Sequence, residues 1–121
     1  MAKCMIVDDS LFQRKSLARL VTQLGWEVMS EASNGREAVE SYRRARPDLV
    51  LMDLLMPEME GTDAVGKIIE HDRNAKIVIV SSLGYDEIVD KAISLGAKQF
   101  ITKPVDFTEA ADKLIAVLEE Q

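Results

Sequence analysis

Four short apolar runs end on residues that can do chemistry. CMIV runs into Asp8 and Asp9, LVLM into Asp53, IVIV into Ser81 and Ser82, and QFIT into Lys103, which Pro104 follows. A carboxylate at the end of a buried run is costly unless something pairs with it. Three carboxylates brought together also raise one another's pKa values. A hard divalent cation resolves that conflict: Mg²⁺ prefers oxygen ligands, keeps several waters, and leaves room for a phosphoryl oxygen. A lysine and a hydroxyl opposite the metal can neutralise and hydrogen-bond the remaining phosphoryl oxygens. If these residues converge, the set suits phosphoryl transfer to or from a carboxylate, where catalysis is mostly positioning and charge stabilisation.

Convergence is a question of topology. The runs 3–8, 48–53, 76–82 and 98–102 are short and rich in Val, Ile and Met. Three of them are almost wholly apolar, as parallel strands covered on both faces must be. WEVMSEA (26–32) is mixed and reads as a strand nearer an edge. Between these runs lie segments of helical period. Leu17, Leu20, Val21 and Leu24 share one face, with Gly25 as a stop; Ala111, Leu114, Ile115 and Leu118 repeat the pattern. Segments 34–45, 61–71 and 85–95 fill the remaining gaps, with Gly66 a blemish inside the second of them. Alternating strands and helices imply right-handed crossovers and an open, doubly wound parallel sheet with helices on both faces. Such a sheet binds its ligand outside the carboxyl ends of its strands, which is where all six polar residues stand.

Bulk properties narrow the classes. The 121 residues suit one domain, 1–121, and 47% hydrophobic with 30% charged residues excludes intrinsic disorder. No apolar run reaches the ~18 residues of a membrane span, and the N-terminus carries no secretory signal. A lone cysteine, Cys4, fits a reducing cytoplasm. A net charge of −6 argues against this chain gripping nucleic acid by itself, and Arg43, Arg44 and Arg46 read as cations at a helix C-terminus.

MIVDDS, LVLMDLLMPEMEG, IVIVSS and FITKP, in that order and spacing, resemble the motifs of the response-regulator receiver domain, the CheY-like family, across essentially the whole chain. The resemblance implies a flavodoxin-like fold of five parallel strands in the order 2-1-3-4-5 flanked by five helices. It implies that Asp53 is the phosphoacceptor, taking its phosphoryl group from a sensor histidine kinase. Asp9, Asp53 and the backbone carbonyl of Leu55 would bind Mg²⁺ or Mn²⁺, with Asp8 acting chiefly through a metal-bound water. Ser81, Ser82 and Lys103 would meet the phosphoryl group, Ser81 and Phe100 would form the switch, and the Lys103–Pro104 peptide would be cis. The domain would catalyse its own phosphorylation and dephosphorylation without being an enzyme of turnover. A kinase of the CheA kind would dock near residues 11–24. An output protein, in chemotaxis the flagellar motor switch, would meet the face built from 85–95, 98–102 and 106–120. The chain departs from the family at Ser82, where Ala or Gly is usual. It carries apolar residues at Leu55 and Leu83, where some relatives have polar residues that orient the hydrolytic water.

Simpler readings stand beside these. Asp8, Asp9 or Ser10 alone could cap the helix beginning near residue 11, Ser81 could bond to backbone, and Lys103 could be a solvated charge before a turn. Met52, Met56 and Met59 read as gap-filling side chains, His71 as a surface residue, and Asn34-Gly35 as a helix entry. Among other functions, a receiver cut from a longer transcriptional regulator or a phosphorelay intermediate shares every motif. An aspartyl-phosphate phosphatase of the haloacid-dehalogenase kind would need a carboxylate where Leu55 stands. A flavin- or nucleotide-binding module would need a glycine-rich loop where DDSLFQ stands.

Overall fold

The computed structural model describes residues 1–56, 59–82 and 87–120. Pro57 and Glu58 of the long motif, Leu83, and the start of the helix expected from 85 lie outside the described residues. The elements alternate as β1 (Lys3–Val7), α1 (Leu11–Gln23), β2 (Glu27–Ala32), α2 (Gly35–Ala45), β3 (Leu49–Met52), α3 (Gly61–His71), β4 (Ile77–Ser81), α4 (Glu87–Ser94), β5 (Gln99–Thr102) and α5 (Phe107–Glu119). All strand pairings are parallel and the order is β2-β1-β3-β4-β5. The doubly wound sheet expected from the alternation is therefore the one observed, and the mixed strand, β2, lies at an edge. Its register slips at Cys4 and Met5, which pair with Val28 and Ser30 and leave Met29 as the extra residue of a bulge.

Side-chain alternation along the strands divides the core in two. Met5, Val7, Val50, Met52, Ile77 and Ile79 face α2, α3 and α4. Cys4, Ile6, Leu49, Leu51, Val78 and Val80 face α1 and α5. Both faces of β1, β3 and β4 are thus dry, which explains why those strands carry almost no polar residue before their last position. Burial raises the Cys4 thiol to about 12, so it stays an inert apolar side chain. Met52 and Met56 fill the first core and Met59 packs against it.

Local signals set the helix ends. Ser10 caps α1, its hydroxyl accepting from the Gln13 amide at 3.3 Å, and Gly25 follows the helix with φ +82°. Asn34 caps α2, accepting from the Glu37 amide at 2.9 Å, while the Glu37 carboxylate accepts from the Ser33 amide at 3.1 Å. Arg43 and Arg44 close the last turn of that helix. At the end of α5 the carbonyls of Leu118 and Glu120 accept from Lys76 Nζ, so a lysine beside β4 satisfies a distant helix terminus. Gly66 has no steric reason to lack a side chain: a methyl there meets only Leu95, at 3.9 and 4.0 Å. Gly66→Ala is expected to raise stability by about 0.5–1 kcal/mol, read as a higher urea midpoint with unchanged slope.

Candidate functional site

The strand order reverses between β1 and β3, so the connections on either side diverge and leave a crevice at their carboxyl ends. Asp8 and Asp53 come side by side there because Val7 pairs with Met52. Backbone bonds carry the sheet's order one residue further. The Asp53 amide donates to Val7 O at 2.9 Å, the Asp8 amide to Ala32 O at 3.1 Å, and the Lys103 amide to Ser81 O at 3.0 Å. The carboxyl ends of β1, β3, β4 and β5 are thereby aligned along one edge of the sheet.

One carboxylate oxygen of each of Asp8, Asp9 and Asp53 lies within 4.8 Å of the others. Lys103 Nζ is 2.8 Å from Asp8 Oδ2 and 3.6 Å from Asp53 Oδ2. Asp8 is 1% and Asp53 7% exposed, whereas Asp9 faces solvent. Asp53 Oδ1 accepts from the amides of Leu54, at 2.8 Å, and Leu55, at 3.4 Å. Burial raises the pKa of Asp53; Lys103 opposes that shift, Asp8 reinforces it, and the two amides oppose it. Three carboxylates against one ammonium leave the crevice two negative charges in excess when all are ionised. Oxygen donors of that number and net charge fit a hard divalent cation.

The remaining predicted residues are placed as follows. Ser81 is buried at the end of β4, and Ser82 beside it is exposed. The Lys103–Pro104 peptide is cis. Phe100 is half-buried, with Lys113 Nζ 5.2 Å from its ring centroid and donating to its carbonyl at 3.1 Å. The Leu55 side chain is 49% exposed at the rim. His71 is exposed, away from these groups.

Three residues contribute in ways the sequence did not assign to them. Arg14 Nη1 donates to Asp8 O at 2.6 Å, and its Nε to Glu31 Oε1 at 3.1 Å. A Cβ on Gly61 would lie 2.3 Å from Asp53 O, and one on Gly35 2.3 Å from Met59 O. Those glycines permit close backbone approach beside the site, which composition alone does not distinguish from a turn.

The electrostatics make a direct prediction. A carboxyl that titrates higher folded than unfolded destabilises the fold once ionised, and this cost vanishes as pH falls through its folded value toward the ordinary carboxylate range. Asp53→Asn is therefore expected to be more stable than wild type in chelator at pH 7. The advantage should narrow as pH is lowered toward 4. Urea unfolding across pH reads it, and a constant difference between the two proteins would contradict the assignment.

The family model for the response regulator receiver domain matches residues 4–115. The chain is 46% identical over 112 residues to the chemotaxis protein CheY of Thermotoga maritima, covering 93% of each. It is 44% identical over 119 residues to the chemotaxis protein CheY of Treponema pallidum, covering 97% of this chain and 83% of that one. Among solved structures it matches the CheX-CheY-BeF3-Mg complex from Borrelia burgdorferi with a TM-score of 0.94 and 34% identity, over 98% of this chain and 90% of that one. Fold, strand-end residues and relatives agree, and the chain belongs to the response regulator receiver domain family.

Proposed function

We propose that Asp53 accepts a phosphoryl group from the phosphohistidine of a sensor kinase, and that the acyl phosphate switches affinity for a protein partner. The observation that carries this reading is the convergence of Asp8, Asp9, Asp53 and Lys103 on the crevice where the strand order reverses. An Asp53 carboxylate oxygen attacks phosphorus, the P–N bond of the donor breaks as the P–O bond forms, and the imidazole leaves. The amides of Leu54 and Leu55 orient the Asp53 carboxylate, and Lys103 neutralises charge on the transferred group. Asp8, Asp9, Asp53 and the Leu55 carbonyl would hold a Mg²⁺ or Mn²⁺ ion, which when bound would supply the remaining charge neutralisation. Ser81 and Phe100 carry the change toward α4, β5 and α5, biasing a two-state domain.

Residues 1–121 are read as one receiver domain acting in the cytoplasm by protein contact. The two relatives named for chemotaxis support a chemotactic role; in that role a CheA-like kinase stands upstream and the flagellar motor switch is the target. The Borrelia burgdorferi complex, which pairs a CheY with CheX, supports a protein partner. Mass measurement after incubation with Mg²⁺ and a small phosphoramidate tests the chemistry. One phosphoryl addition is expected, lost in Asp53→Asn and in chelator; no addition to wild type would remove the reading.

The apolar, exposed side chain of Leu55 offers nothing to hold a hydrolytic water. Leu55→Asn is expected to speed decay of the acyl phosphate by up to about tenfold, the rate worth of one hydrogen bond. Equal decay rates in the two proteins would refute a role for this position.

A further inference from the structure

We propose that Arg14 is a positioning residue for the acidic metal-binding loop, an inference that rests on the function proposed above. The Asp8 carbonyl that accepts from Arg14 Nη1 at 2.6 Å belongs to the peptide joining Asp8 to Asp9. A peptide unit is planar, so holding that oxygen fixes the plane from which Asp9 departs. Asp8 is braced on its other sides: its amide by Ala32 O, Oδ1 by the Ser10 amide at 2.9 Å, and Oδ2 by Lys103. Asp9, in contrast, is exposed, and its order depends on the peptide it follows.

Arg14 is itself held. Its Nε donates to Glu31 on β2, and its side chain is largely sheltered while that of Glu31 is not. The guanidinium thus spans from the edge strand to the loop, using two donors of one rigid fork. Its location is poor for the helix it belongs to. Arg14 lies near the start of α1, where the macrodipole disfavours a cation and no acidic residue occupies the first turn. What its charge meets instead is the Asp8 carbonyl and Glu31.

Position and charge make opposite predictions for Arg14. By charge alone, removing a guanidinium beside a divalent-cation site tightens metal binding, and neutralising Glu31 weakens it. As a brace, both substitutions weaken it. Mn²⁺ serves as the probe, its free concentration read by electron paramagnetic resonance at pH 7 in the full chain, with urea unfolding in chelator alongside.

Arg14→Gln is expected to raise the Mn²⁺ dissociation constant about tenfold, the lower end for loss of an outer-shell partner. Glu31→Gln should give a smaller rise of the same sign. Arg14→Lys, which keeps the charge and one donor but not the fork, should fall between Arg14→Gln and wild type. Equal or tighter Mn²⁺ binding by Arg14→Gln overturns the proposal, as does a lowered unfolding midpoint with an unchanged dissociation constant. Should Arg14→Gln fail to fold, Arg14→Lys decides it, because it keeps the charge, and wild-type affinity in that variant overturns it. A wild type that binds no Mn²⁺ overturns the metal-dependent function itself, an outcome distinct from failure of the brace.

Discussion

Lys103→Met is expected to lower stability in chelator at pH 7 by about 3 kcal/mol, because it leaves buried carboxylates without their counter-ion. Lys103 Nζ stands 2.8 Å from Asp8 and 3.6 Å from Asp53, and both carboxylates are almost wholly buried. Methionine preserves most of the aliphatic stem, so the loss reports charge and not packing. Two further results are expected from the same cause. Saturating Mg²⁺ should stabilise the variant more than the wild type, since metal then carries neutralisation that the ammonium shared. Adding Asp53→Asn should stabilise the variant by more than it stabilises the wild type, because the charge it removes is then without its counter-ion; such non-additivity marks residues in direct contact. Urea unfolding of the single and double variants, with and without Mg²⁺, measures all three. Additive effects would show that Lys103 and Asp53 do not share one electrostatic site.

Gly61→Ala is expected to cost about 3 kcal/mol, at the upper end for overpacking, since its clash is with backbone. The new methyl would lie 2.3 Å from the Asp53 carbonyl oxygen and 2.6 Å from Leu54 Cα, and neither atom can turn away by changing rotamer. The Gly61 amide also donates to Leu54 O at 3.0 Å, drawing the start of α3 against the residues that follow β3. Relieving the clash moves the segment bearing Asp53. A displacement of ~1 Å can cost about a hundredfold in rate, so phosphorylation by a small donor should slow by that order. Stability within ~0.5 kcal/mol of wild type together with an unchanged rate would show that the segment yields without cost.

Much of the fold was legible in local patterns. The almost wholly apolar runs became β1, β3 and β4, and the mixed run became an edge strand, because burial on both faces or one leaves a direct mark on composition. Asn34-Gly35 opened a helix as its position before a helical run implied. At the start of α1 two readings hold at once: Ser10 is the cap, while Asp8 turns its other oxygen to Lys103. Other features had no local mark. Tyr42 donates to Asp72, thirty residues away, at 2.8 Å, and Lys76 reaches the end of α5. Arg14 looks like any helical cation until its reach to Asp8 is seen. These pairings join residues distant in the chain, and no periodicity of one segment encodes its partner.

By itself the sequence determined the alternation of elements, the faces they bury and the residues left standing at the strand ends. Those follow from the hydrophobic effect acting on periods of two and 3.6, which each segment displays without its neighbours. Only the tertiary structure decided that Lys103 lies between Asp8 and Asp53, that Arg14 holds the Asp8–Asp9 peptide, and that Gly61 must lack a side chain. Such relations are matters of a few tenths of an ångström. They depend on register, sheet twist and helix packing together, and they turn a set of suitable residues into a site.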